Sequence, residues 1–451
     1  MVFECAPPKM VRVSGPFRVV GVGLALALIS VAAFTSFGPS VAIGQENTGP
    51  SFAPQVSTAA PSATPIQTAL PNPISRPEDA RGINQTTAPF VPPSGFSPPP
   101  VPPSSWIANV PSFSVPCQLH GNRIYLGVVV DGRPQTFLLD SAAPFSIVDP
   151  GSAPSHDAPV KLHTLQFGDV LFNSLTAGVA KVASAAEAFL GKPVDGILGQ
   201  ELFLNYPVRI DYQPCAVTVY RDVKAQLDAS PSPDARPLPL RIINGQPQIE
   251  TTFDGGRNAQ LVIDTASDAD ADVSQEFWTQ NNLAALSAIP ELRRWLPSGM
   301  LSGATARVSA FDVGPFPFDR ALVGVIYTSG RTTGYLGNGF LQNFSVLFNE
   351  PAMQLTLTPI SNSRRFTTYD RSGAWLVIRQ NGIMVKSILP NSPAAKVLSP
   401  GDRIVAVNGQ PAGELDAVRA LLAAAPGSTV TVTYQRNGRQ HSGSMVLKTL
   451  L

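Results

Sequence analysis

Two short runs in this sequence pair an acid with a small hydroxyl side chain. Asp140-Ser141-Ala142 follows the apolar Leu138-Leu139, and Asp264-Thr265-Ala266 follows Val262-Ile263. An aspartate at the end of an apolar strand is costly to bury unless it is hydrogen-bonded or paired. Here it occurs at the same place in two similar contexts. Two carboxylates brought within a few ångströms cannot both ionise easily, so they share a proton. The ionised member then acts as general base on a water, and the protonated member polarises a carbonyl. A pair so arranged could hydrolyse a peptide bond without a covalent intermediate. The hydroxyls of Ser141 and Thr265 would reach across the pair and tie the two loops together.

The elements that must position this pair are repeated. Gly132 and Gly256 each lie eight positions before their aspartate, and both are followed by arginine. Further on, Ile197-Leu198-Gly199 precedes Asn205 and Val208, while Tyr335-Leu336-Gly337 precedes Asn343 and Val346. Asparagine falls six positions after glycine in both copies, and valine nine. Four landmarks in one order define two copies of a β-rich unit. Ile124–Val130, Thr136–Leu139, Val208–Tyr212 and Val217–Tyr220 read as strands, and Val273–Leu296 reads as a helical region.

The triplets and the later apolar-apolar-glycine signatures resemble the pepsin and retropepsin group of aspartic proteases, over residues 114 to 360. The resemblance implies Asp140 and Asp264 as catalytic residues. Ser141, Thr265, Ala142, Ala266, Gly199 and Gly337 support them, and no cofactor or metal is needed. Alanine stands where the group has glycine in both triplets. A catalytically inactive peptide-binding adaptor with the same fold therefore remains the alternative to an endopeptidase. Members of the group cover the cleft with a hairpin. A proline-broken stretch, 144–159, follows Asp140 and leaves little chain for one, whereas the second copy has 73 positions between aspartate and glycine against 59 in the first. Pro297, Gly299, Met300 and Gly303 are accordingly expected at a flap tip, with Thr305–Phe311 as its return strand. The alternative is an ordinary surface loop.

Residues 366–451 form another unit. Ser392-Pro393-Ala394-Ala395, Gly401-Asp402-Arg403-Ile404 and Val407-Asn408-Gly409 resemble a PDZ domain of the bacterial protease-associated type. Such a domain implies a C-terminal peptide ligand added as a strand. Its carboxylate loop would be Gly373-Ala374-Trp375-Leu376. A structural appendage packed on the protease is the other reading.

The fold class expected is mostly β: a bilobal pepsin-like acid protease fold of two pseudo-symmetric β lobes, plus a PDZ domain built as a partly open β-barrel with two helices. The expected boundaries are 1–44 for an export signal or N-terminal anchor and 45–112 for a Pro-rich disordered linker. The protease domain spans 113–361, with lobes 113–235 and 236–361, and the PDZ domain spans 366–451. Lys9, Arg12 and Arg18 precede an apolar run over 19–37, so a cleaved signal and a retained membrane tether are both open. Either one exports the remainder to the periplasm or to its membrane face. There Cys117 and Cys215 are candidates for one disulfide, with two free thiols as the alternative. Net charge is +1, which gives no electrostatic basis for binding nucleic acid. The partners expected are protein or peptide substrates. Both halves lie in one chain, so a monomer suffices. Asp268-Ala269-Asp270-Ala271-Asp272 lacks the glycine and distal glutamate of a calcium loop and reads as a solvated acidic turn.

Overall fold

The computed structural model describes residues 103–154, 159–228, 232–290, 294–297, 299–327, 332–360 and 369–451. The segment expected to direct export, the expected linker up to residue 102, Ser298 and residues 361–368 lie outside the described residues. So does His156. All described residues belong to the second of two compact units, 63–451. Among them no helix is long and apolar enough to cross a membrane.

Two halves are wired alike. In the first, Arg123–Val130 pairs antiparallel with Arg133–Leu139, which runs parallel to Gly196–Leu198. Ile147–Val148 pairs antiparallel with Gly196–Leu198 and parallel with Val170–Val179. In the second half, Gln246–Phe253 pairs antiparallel with Arg257–Asp264, which runs parallel to Gly334–Gly337. Ala271–Ser274 then pairs antiparallel with Gly334–Gly337 and parallel with Leu322–Ile326. The strands that lead into the aspartates are covered on both faces. Phe137, Leu138 and Leu139 are buried, as are Leu261, Val262 and Ile263. This is why they read as continuous apolar runs rather than as alternation.

A six-stranded sheet joins the halves. Its order is Arg236–Pro239, Gln354–Pro359, Phe344–Asn349, Val208–Tyr212, Cys215–Tyr220, Ser112–Pro116. Three strands come from each half, and the central pair is reciprocal: Val208 faces Phe348 and Ile210 faces Val346. Cys117 and Cys215 form a disulfide beside this sheet.

Several expectations are corrected. The ordered chain begins before 113, because Ser104–Trp106 pairs with Val170–Val179. The 273–296 region is mostly not helical. Ala271–Ser274 is a strand, and only Gln275–Gln280 is a helix, capped by the Ser274 hydroxyl accepting from the Phe277 N–H. The first half does have room for a hairpin, since Val160–Phe167 and Val170–Val179 form a long one. Proline only breaks the chain before it. The acidic turn is not solvated either. Asp270 and Asp272 are buried. Asp272 pairs with Arg294, which also bonds Asp268 at 2.8 Å.

The C-terminal unit has its own core, including Leu376, Ile383, Val407, Val418 and Val432. Its sheet runs Ala374–Arg379, Gly382–Ile388, Arg403–Val407, Thr429–Arg436, Arg439–Val446, so Ala374–Arg379 is an edge strand. The helix Leu415–Leu422 turns Leu415, Val418 and Leu422 inward, and a short 3-10 turn covers Ala394–Lys396.

Candidate active site

The two triplets meet where the halves meet. The Ser141 hydroxyl donates to the Ile263 carbonyl at 2.7 Å, and the Thr265 hydroxyl donates to the Leu139 carbonyl at 2.9 Å. In return, the Ser141 N–H donates to Thr265 Oγ1 and the Thr265 N–H donates to Ser141 Oγ. Four bonds thus cross the junction in reciprocal pairs, and they fix the backbone just before and just after each aspartate.

Asp140 Oδ1 accepts from the N–H groups of Ala142 and Ala143, and Asp264 Oδ1 accepts from that of Ala266. Alanine in place of glycine therefore still serves the carboxylate. Both acids are almost wholly buried, at 5% and 3% exposure. Burial is the main reason the Asp140 carboxyl is pushed up to about 6, against the pull of those N–H groups and of Arg123. Asp264 is raised well above its ordinary range, first by burial and then by the charge of Asp140. Burial raises both acids and the charge of Asp140 raises Asp264 further, so this pair retains a proton to higher pH than free carboxylates do.

The glycines after each apolar pair are needed for close approach. A Cβ on Gly199 would stand 2.8 Å from the Ala143 carbonyl oxygen, and one on Gly337 would stand 2.6 Å from that of Ala269. Each glycine lets the return strand pass against the loop that follows an aspartate.

Other participants were not singled out from the sequence. Gln200 and Asn338, each next after its glycine, donate side-chain N–H groups to the carbonyls of Ser141 and Thr265. Their common position in the repeat was the available signal. Arg123 is 2% exposed and donates to the carbonyls of Ala266, Gly121 and Trp295 and to Asp268. An arginine opening a buried apolar strand was its only mark. Tyr335, read only as part of a signature, has its phenol held protonated by burial first and then by Asp264, Asp272 and Asp140.

The expected flap residues divide. Arg294–Leu296 and Gly299–Leu301 do form a hairpin, with Pro297 at its turn. Gly299–Leu301 itself is the return strand, so Thr305–Phe311 is not. Gly303 is no tip residue: it begins a strand paired with Leu322–Ile326, and a Cβ there would strike the Val325 carbonyl oxygen. The hairpin is not a free surface loop. Trp295 is buried in an apolar cluster with Tyr125, Phe145 and Leu190 of the first half, and Met300 packs against that cluster.

Gly373, Ala374, Trp375 and Leu376 lie in the C-terminal unit. Gly373 has φ of +78° and no room for a side chain, with Ser392 Cβ 2.3 Å from where its Cβ would stand. The Ser372 and Gly373 N–H groups point to one acceptor, Asp370 Oδ1, at 2.7 and 3.2 Å.

Residues 384–436 match the PDZ domain family, and this unit is a PDZ domain. No curated protein matches the sequence. Among solved structures, the chain is similar to the PDZ domain of a carboxy-terminal protease from Vibrio cholerae in complex with peptide. The identity is 26%, over 18% of this chain and 96% of that one, with a TM-score of 0.17. It is also similar to basic 7S globulin from soybean and to an aspartic proteinase from Irpex lacteus. Each is 11% identical over 55% of this chain, covering 95% and 98% of the other chain, with TM-scores of 0.36.

Proposed function

We propose that the chain is a pepsin-like, bilobal aspartic endopeptidase in which Asp140 and Asp264 activate a water against a peptide carbonyl, with the PDZ domain binding a peptide ligand or substrate tail. The reading rests on one observation. The reciprocal hydroxyl bonds of Ser141 and Thr265 bring together two buried aspartates whose carboxyls are both raised. Burial favours the protonated form of both acids, and the charge of Asp140 favours that of Asp264 further, which supports one base and one acid at a single site. Export to an oxidising compartment belongs to the same proposal. The cationic and apolar N-terminal segment and the Cys117–Cys215 disulfide support it.

The test is hydrolysis of an unfolded protein substrate across pH by the wild-type chain, by Asp140→Asn and by Asp264→Asn. Each substitution should lower turnover by about 10³-fold or more with the fold retained by circular dichroism, because a shared site needs both groups. Wild-type turnover should fall on acidification below about 6, where the base is lost, since burial holds both acids above the ordinary carboxylate range. Near-normal turnover in either variant rejects the dyad. An inactive wild-type chain that still binds the substrate favours the adaptor reading.

A further inference from the structure

The edge strand Ala374–Arg379 and the helix Leu415–Leu422 border the groove in which a PDZ domain takes a peptide by strand addition. In this chain the C-terminal end of the helix Ala183–Leu190, from the first half, already stands there. A Cβ on Gly191 would lie 3.3 Å from Leu415 Cβ and 3.4 Å from Ile378 Cδ1, between the two walls. One guanidinium bonds both the wall and its occupant. Arg419 donates to the Leu376 carbonyl at 3.3 Å and to the Phe189 carbonyl at 2.8 Å. Beside it, Asp416 accepts from the Gly121 N–H at 2.8 Å. The carboxylate loop has an internal occupant too, since Asp370 takes the Ser372 and Gly373 N–H groups.

Phe189 is also the middle of a stack. Its ring lies 6.0 Å from that of Trp375 in the PDZ domain and 6.5 Å from that of Trp295 in the 294–301 hairpin, nearly parallel to both. The Trp295 carbonyl accepts from Arg123, which also bonds the Ala266 carbonyl just after Asp264. A cleft of about 490 Å³ opens at this junction, lined on one side by Arg123 and Trp295 and on the other by Trp375 and Arg419.

We propose that the 183–191 segment is a built-in competitor for the PDZ groove, so that a peptide entering along Ala374–Arg379 displaces Phe189 and releases the Trp295 hairpin in the same event. The PDZ domain is then a switch on the cleft between the halves as well as a tether for substrate. The coupling has a physical carrier: one aromatic ring cannot remain stacked on Trp295 while an added strand occupies its place beside Trp375. This inference extends the endopeptidase reading to its regulation, but its test does not use hydrolysis.

The full chain is titrated by fluorescence anisotropy with a labelled pool of decapeptides that end in an apolar residue and a free carboxylate. Asp416→Ala combined with Arg419→Ala removes the hydrogen bonds that hold Phe189 and Gly121 against the PDZ domain, and Phe189→Ala removes the stack. Both released proteins should bind about 10-fold tighter or more, because the competent groove is no longer a minor state. Hydrogen exchange at 294–301 should rise when peptide is added to the wild-type chain, and should already be raised in Phe189→Ala without peptide. Equal affinity in all three proteins, binding by none of them, or unchanged exchange at 294–301 overturns the proposal. Hydrolysis lost in Asp264→Asn and present in the wild-type chain would leave the endopeptidase reading standing even then.

Discussion

Glu350 is 3% exposed, and its neighbour is the Gln200 side chain that also braces Ser141. Burial pushes its carboxyl from 4.5 to about 8, so it is neutral in the folded protein at physiological pH. A folded pKa raised in this way contributes stability that is complete below 4.5 and is lost as pH rises through 8. Glu350→Gln should therefore leave the melting temperature unchanged near pH 4 and raise it near pH 8–9, by the equivalent of about 1–3 kcal/mol. Thermal melts of both proteins across that range check it, and parallel curves would place the pH-dependence elsewhere. The aspartates were legible in the sequence because a charged residue at the end of two apolar strands violates the burial pattern twice. Arg123 and Glu350 were not, because each becomes unusual only once distant strands enclose it.

At the scale of elements, the return strand in each half must lie against the loop that follows its aspartate, and a glycine makes that possible. Gly337→Ala would place a methyl carbon 2.6 Å from the Ala269 carbonyl oxygen and 2.9 Å from Ser267 Oγ. Backbone has to move, so the expected cost is about 1–3 kcal/mol in denaturant melts, with turnover falling further than stability. Gly127→Ala, where nothing stands near the new methyl and the backbone is not left-handed, is the control for a glycine-to-alanine change without the close contact. The repeat in the sequence announced this wiring, since the landmarks mark the points where strands touch. The 294–301 hairpin was only partly legible. Its extra length between Asp264 and Gly337 was visible, but its return strand was misplaced because 299–301 and 303–307 are adjacent strands in different sheets. The 271–280 segment misled for a related reason. Its apolar residues pack on several sides, so they show no clean period, and a six-residue helix beside a strand resembles one longer helix.

At the scale of the molecule, the Cys117–Cys215 disulfide closes a loop of 98 positions that contains most of the first half. Replacing both cysteines with serine should destabilise the chain by about 2–4 kcal/mol, read from guanidinium melts with and without reductant. A wild-type melt insensitive to reductant would mean the bond is not carrying that load. The six-stranded sheet has a different consequence. Its seam is the reciprocal pairing of Val208 with Phe348 and Ile210 with Val346, and each half keeps its own three strands on its own side. Cutting the chain between 228 and 232 severs none of the described strands. Two polypeptides made separately, one ending and one beginning at that cut, should find each other and co-purify as a split protein, while either alone presents a bare inner edge and aggregates. A half standing alone could satisfy that edge only by pairing with a second copy of itself or another strand. One chain that carries both halves has no such symmetry requirement, and the Trp295 hairpin, found among the described residues in the second half only, is a feature that two identical halves could not divide between them.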